Sequence, residues 1–257
     1  YTPDYKTVKL CAPKVSIPDF IGVTTIGSNA FQYNKHETDV VIPDNVTNIL
    51  ASAFEGSSIT SVAIPSSVII NNGAQNTCGS IFKDCTKLSK ITINEGKIKI
   101  IPTSFAYKTA INNIDLPSTI SVIHNSALCD CVNLLCVVIR SSNCSLNNIN
   151  AFGLTSISYG EGFIYVPDES VDAYKAATNW STYSDQIRPL SEIKPIMLLL
   201  KEYFAGQTFT AKVVYGIDYE YEEGVTWSIT NGGEYASINQ DGTVTINESA
   251  NKSVITV

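Results

Sequence analysis

The residues of this 257-residue chain that could do chemistry are seven cysteines, two histidines and twenty-four carboxylates. Cys129, Cys131 and Cys136 lie close together in sequence, and a metal site needs several such ligands converging. His36 and His124 are not placed like ligands, and no C-x-x-C pair occurs. The cysteines therefore read as buried, inert thiols, since free Cys behaves as a small hydrophobe. Catalysis needs a nucleophile, base and orienting group, or paired carboxylates, held together. No G-x-S-x-G word accompanies either histidine, and phosphate loops and dinucleotide fingerprints are absent. The carboxylates are scattered singly. An acidic stretch, Asp218, Glu220, Glu222 and Glu223, lacks the D-x-D-x-D spacing of a calcium loop and reads as a solvated hairpin. The expectation is no enzyme, no metal and no cofactor.

The elements that would position any site form a repeat. Short words such as IGSNAF (26–31), ILASAF (49–54), IIPTSF (100–105) and IHNSAL (123–128) recur. Aligned on the large residue they give Phe31, Phe54, Phe82, Phe105, Leu128 and Phe152, with one insertion around residues 72–76. A second word keeps step: Ile17-Pro18, Ile42-Pro43, Ile64-Pro65, Leu116-Pro117 and Val166-Pro167. Ile93-Asn94 and Ile139-Arg140 hold the same place without proline. Ahead of it runs L-x-x-I-x-I, as in Leu88, Ile91, Ile93 and in Ile111, Ile114, Leu116.

A unit of about 23 residues cannot bury its own apolar face and must stack on copies of itself. The I-x-I pair points inward from a short strand, its neighbours point outward, and proline ends the strand for want of an N–H. Cys85 and Cys131 occupy the same slot, two turns apart, too far for a disulfide. Cys129 and Cys136 fall at outward slots, where a local disulfide is conceivable.

Net charge is −7 and 44% of residues are apolar. No basic tract suits nucleic acid, and no apolar run approaches a membrane span. The chain starts at Tyr1, from which a removed signal or lipoprotein segment is expected.

The combination of IGSNAF, IPDNVTNI, FKDCTKLSKITI and IDLPSTISVI resembles the BspA-like, Treponema-pallidum-type leucine-rich repeats over roughly residues 15–167. The segment 164–190 resembles the ending that closes such arrays in proteins of gut Bacteroidetes. Its residues support that reading. Asp168 is an N-cap candidate, and Val171, Tyr174, Ala177, Trp180, Tyr183 and Ile187 form an apolar face along a helical lid over 168–187. After Pro189 the pattern changes to separate strands at 196–200, 207–215, 225–230, 235–238, 243–246 and 253–257. GVTWSITNGGEYASINQDGTVTI resembles bacterial immunoglobulin-like domains, in which Trp227 would pack the core.

The fold expected is β-rich: a leucine-rich-repeat solenoid of parallel strands with a helical C-terminal cap (1–190), then an immunoglobulin-like β-sandwich (191–257) that could be truncated. The resemblance implies an exported, monomeric, non-catalytic surface protein that binds a host or bacterial surface protein or a glycan. The alternatives are a surface glycan-binding accessory protein and an envelope scaffold without a separate ligand. The outward strand positions are the expected contact residues: Asp39, Lys90, Thr92, Asn113, Asp115, Val138, Phe163 and Tyr165. The last two turns become apolar, either as an open patch or as a surface covered by the lid or the following domain.

Overall fold

The computed structural model describes residues 6–8, 22–36, 38–70, 79–193, 195–196, 208–210, 214–215, 219–220, 236–239 and 243–246. Outside them lie Cys11, Ile17-Pro18, the insertion at 72–76, Cys78, Trp227 and the strands expected at 225–230 and 253–257. The chain divides into two units, Tyr1–Glu192 and Ile193–Val257.

In the first unit each turn lays down a front strand, a back strand and a tight turn. The front strands are Asp39–Val41, Ser61–Ile64, Lys90–Ile93, Asn113–Leu116, Cys136–Ile139 and Phe163–Val166. Their pairing is parallel and in register, Val40 beside Val62 beside Ile91, and Ile114 beside Val137 beside Ile164. These β-branched residues alternate inward and are buried. The front strands fall into two sheets, with no ladder joining Lys90–Ile93 to Asn113–Leu116. At that boundary the back ladder is intact, with Ile100–Ile101 paired to Val122–Ile123.

The rings expected as rungs do stack. Phe31 and Phe54 lie 5.1 Å apart at 16°, and Phe54 and Phe82 lie 5.5 Å apart at 23°. Phe105 breaks the pattern, meeting Phe82 edge-on at 85° and 5.3 Å. The backbone shows why. Phe31 N–H donates to Ala53 O, Phe54 N–H to Ile81 O, Phe82 N–H to Phe105 O, and Ala106 N–H to Ala127 O. By this ladder the counterpart of Phe31, Phe54 and Phe82 is Ala106, and Phe105 stands one place early. The turn before it carries one extra residue at Gly96, wedged against the previous turn: a Cβ there would lie 2.3 Å from Ser66 O. The extra residue and the early Phe cancel in the count, which kept the spacing regular while the register moved by one.

Three places beyond each rung position runs a buried polar column: Asn34, Ser57, Cys85, Thr109, Cys131 and Thr155. Each hydroxyl or thiol finds partners inside. Cys85 Sγ donates to Phe54 O at 3.0 Å and meets Ser57 Oγ at 3.4 Å. Cys131 Sγ donates to Ala106 O at 3.0 Å and meets Thr109 Oγ1 at 3.3 Å, and Thr155 Oγ1 donates to Phe152 O. Buried polar groups persist only when hydrogen-bonded in this way. Cys85 and Cys131 are both buried and free, as expected, and Cys129 and Cys136 are free as well.

Residues 167–189 close the last turn, though not as one helix. One short helix, Val171–Ala176, is flanked by 3-10 turns at Asp168–Ser170 and Trp180–Tyr183. Ile187–Pro189 is a strand that pairs in parallel with Phe163–Val166, which corrects its expected place on a helical face. Asp168 is no helix cap either: its carboxylate accepts from Ser191 N–H at 3.0 Å. The closure works through polar tips on buried rings. Tyr174 Oη accepts from Cys144 N–H at 2.9 Å and donates to Ser141 O at 2.8 Å. Trp180 Nε1–H donates to Cys144 O at 2.7 Å, and Tyr183 Oη donates to Ile149 O. Backbone groups that another turn would have paired are satisfied by side chains.

In the second unit the described strands form two antiparallel three-stranded sheets. One joins Pro195–Ile196, Val214–Tyr215 and Tyr219–Glu220; the other joins Thr208–Thr210, Thr243–Ile246 and Ala236–Ile238.

Candidate binding face

The front strands alternate, so residues flanking the inward aliphatics project outward in two rows. One row runs Asp39, Ser61, Lys90 in the first sheet and Asn113, Cys136, Phe163 in the second. The other runs Val41, Ala63, Thr92, then Asp115, Val138, Tyr165, Arg188. Within each sheet the strands therefore bring the expected contact residues together, strand beside strand.

The rows differ in character along the solenoid. At the first strand Asp39 is exposed and its carboxylate accepts from Ser61 Oγ at 2.7 Å and Thr60 Oγ1 at 2.8 Å. Those two hydroxyls hold its pKa below the usual carboxylate value. Lys90 and Thr92 are exposed on the third strand, and Asn113 is half-buried on the fourth.

From the fourth strand on, long side chains fold back over the sheet. Arg140 donates to Asp115 from Nε at 2.9 Å and from Nη2 at 2.7 Å, a bidentate pair. Burial raises the Asp115 pKa, the Arg140 bonds opposing it. Val138, expected on the open face, is fully buried. It sits between Asp115 and Tyr165, whose longer side chains overtop a short valine. Tyr165 is half-buried, and burial raises its hydroxyl pKa. Phe163 is 38% exposed, and the Arg188 guanidinium lies over its ring at 4.9 Å. One face of that ring is thereby already occupied.

Sequence reasoning missed Arg140 and Arg188, because both lie just outside the strand positions it used. Arg188 stands in register beside the outward Tyr165, and Arg140 directly follows the strand Cys136–Ile139, its N–H donating to Leu116 O. Cys136 also lies in the row, where burial pushes its thiol up to about 12. Among the described residues no group of His, Cys, Asp and Glu could hold a metal ion, and no helix is long and apolar enough to cross a membrane.

Comparison with known proteins bears on the repeat. Residues 11–81 match the family model described as "BspA type Leucine rich repeat region (6 copies)". A leucine-rich repeat protein from Eubacterium ventriosum ATCC 27560 is 20% identical over 61% of this chain and 48% of its own, with a TM-score of 0.48. A leucine-rich repeat protein from Bacteroides ovatus ATCC 8483 is 20% identical over 58% of this chain and 48% of its own, with a TM-score of 0.27. A leucine rich cell surface protein from Faecalibacterium prausnitzii A2-165 is 18% identical over 70% and 62%, also with a TM-score of 0.27. The match spans about half the length of the first two. No curated protein matches. Residues 11–81 are thus similar to the BspA-type leucine-rich repeat, and the same strand, strand and turn recur, in two front sheets, as far as Phe163–Val166.

Proposed function

We propose that this chain is a non-catalytic, surface-exposed binding protein whose front strands present the contact face to a protein or glycan. The observation that carries the reading is the pair of outward rows, set on strands whose inward residues are locked in one core. A rigid, regular face binds without the entropy cost of ordering loops, and solenoids use extended faces in this way. The BspA-type match supports surface exposure, and the neighbour from F. prausnitzii is itself described as a cell surface protein. The second unit acts as an immunoglobulin-like spacer, a reading supported by its two antiparallel sheets. The Arg188 lid on Phe163 disfavours an aromatic sugar platform at the last turn, which moves the centre of contact to Lys90, Thr92 and Asn113.

The test is a screen of the full chain against extracellular-matrix proteins and a glycan array, repeated with Lys90→Ala/Asn113→Ala. A ligand that the wild type binds and the double variant loses at least tenfold, with unchanged melting temperature, is the expected result. A ligand that binds both equally well overturns the front face as the contact surface.

A further inference from the structure

On the reading that the front face binds, we propose that the turn from Lys83 to Lys108 is the docking band for an acidic polysaccharide. The chain carries −7 overall, with 17 Lys and Arg in 257 residues. Six of them, Lys83, Lys87, Lys90, Lys97, Lys99 and Lys108, fall in this one turn, against Asp84 and Glu95. All but Lys83 are exposed. Topology spreads them along a track: Lys87 leads into the strand Lys90–Ile93, Lys90 opens it, and Lys97 and Lys99 follow its end. The strand is thus bracketed by cations.

The nearby carboxylates are already engaged within the protein. Glu95 accepts from Ser118 N–H at 2.6 Å and from Ser118 Oγ at 3.0 Å, and Asp115 is gripped by Arg140. Lys83, at the edge of the band, is paired with Glu55 at 3.0 Å, whereas among the described residues Lys97, Lys99 and Lys108 enter no ion pair. A polyanion gains most where cations are not already neutralised.

The charge pattern also selects the kind of polyanion. Duplex DNA carries about one charge per 1.7 Å and rewards a broad basic surface. Here the cations are confined to about one turn: residues 56–82 before it carry no charge and residues 109–139 after it carry only Asp115 and Asp130, so a densely charged duplex finds no cations beyond the band. A polysaccharide whose carboxylates are spaced by whole sugar rings meets the lysines without crowding the flanks. Thr92, Asn112 and Asn113 beside the track offer hydroxyl and amide groups to the sugar hydroxyls.

The experiment is biolayer interferometry of the full chain on immobilised polygalacturonate, with amylose and duplex DNA as comparison surfaces, over a salt series. Polygalacturonate binding that weakens with salt, and exceeds binding to amylose and DNA, is expected. Lys90→Gln/Lys97→Gln/Lys99→Gln should weaken it about tenfold or more and lower the slope of log affinity against log salt by about two to three. Lys35→Gln/Lys175→Gln, outside the band, should leave it unchanged. Failure of the wild type to bind, equal loss in both variants, or preference for DNA overturns the proposal. A protein or neutral-glycan ligand whose binding Lys90→Ala/Asn113→Ala abolishes but Lys97→Gln/Lys99→Gln leaves intact overturns the band while the front-face reading stands.

Discussion

Removing one oxygen atom from the closing segment should cost more than most large surface changes. Tyr174 is 3% exposed, and its hydroxyl serves Cys144 N–H and Ser141 O, both on buried residues of the last turn. Tyr174→Phe keeps the ring and its 5.3 Å edge contact with Trp180, so no cavity opens. What it leaves is a donor and an acceptor without partners. Each such buried group costs about 1–3 kcal/mol, and allowing for partial relaxation the variant should lose about 2–4 kcal/mol. Urea unfolding followed by far-UV circular dichroism measures this, read at equal m-values. Tyr159→Phe, 66% exposed, is the control and should lie within about 0.5 kcal/mol of wild type.

The same residue has a pH signature. Burial, then the neighbouring Cys144, raise the Tyr174 pKa well above its ordinary value, its own hydrogen bonds opposing the shift. The unfolded chain therefore releases this proton near pH 10 while the folded state still holds it. The stabilisation is complete below pH 10 and is lost as pH rises through the folded value, by up to about 1.4 kcal/mol per pH unit. Tyr174→Phe should remove that share of the alkaline slope. A loss under about 1 kcal/mol together with an unchanged alkaline slope would refute the argument that side-chain tips close the open backbone.

Three further outcomes follow from the packing. Phe105→Ala should cost about 3–5 kcal/mol by denaturant unfolding, as large-to-small changes in a full core do, and a loss under about 1 kcal/mol would contradict its packing against Phe82. Gly96→Ala should cost about 1–3 kcal/mol, because its methyl group runs into Ser66 backbone, while Gly153→Ala, whose nearest neighbours lie at 3.4 Å, should be near neutral in the same assay. Burial pushes the Cys85 thiol up to about 11 and the Cys144 thiol up to about 12, so a maleimide at pH 7 should leave both unmodified in the native protein and label them after urea; rapid native labelling would contradict the burial of Cys85 in the polar column and of Cys144 beneath the closing segment.

Much of the solenoid was legible because stacking forces every turn to repeat the same inward pair. Val62 and Ile114 announce themselves by period and by proline, and Ile91 by period alone. The register at Phe105 was not legible, since an inserted Gly96 and an early aromatic compensate in the count and only cross-turn hydrogen bonds tell them apart. The polar column was half seen. Cys85 and Cys131 were aligned, but Ser57, Thr109 and Thr155 share their role through hydrogen bonding rather than through residue type. Ile187 shows another limit: over a short apolar segment, helical spacing and a strand joined by a turn read alike. On the candidate face, alternation correctly named the outward slots. It could not show that Arg140 and Arg188 fold across them, because the reach of a long side chain between turns leaves no mark on period.

The gap in the front ladder between Lys90–Ile93 and Asn113–Leu116 has a mechanical meaning. A protein that tethers surfaces is loaded in tension, and in a one-dimensional stack the load passes through every boundary in series. At this boundary the force passes through the back strands, the tight turns and isolated bonds such as Ala110 N–H to Leu88 O and Ser118 to Glu95. Tension therefore opens this boundary from the front, like a crack at a notch, more readily than the boundaries whose front strands are laddered.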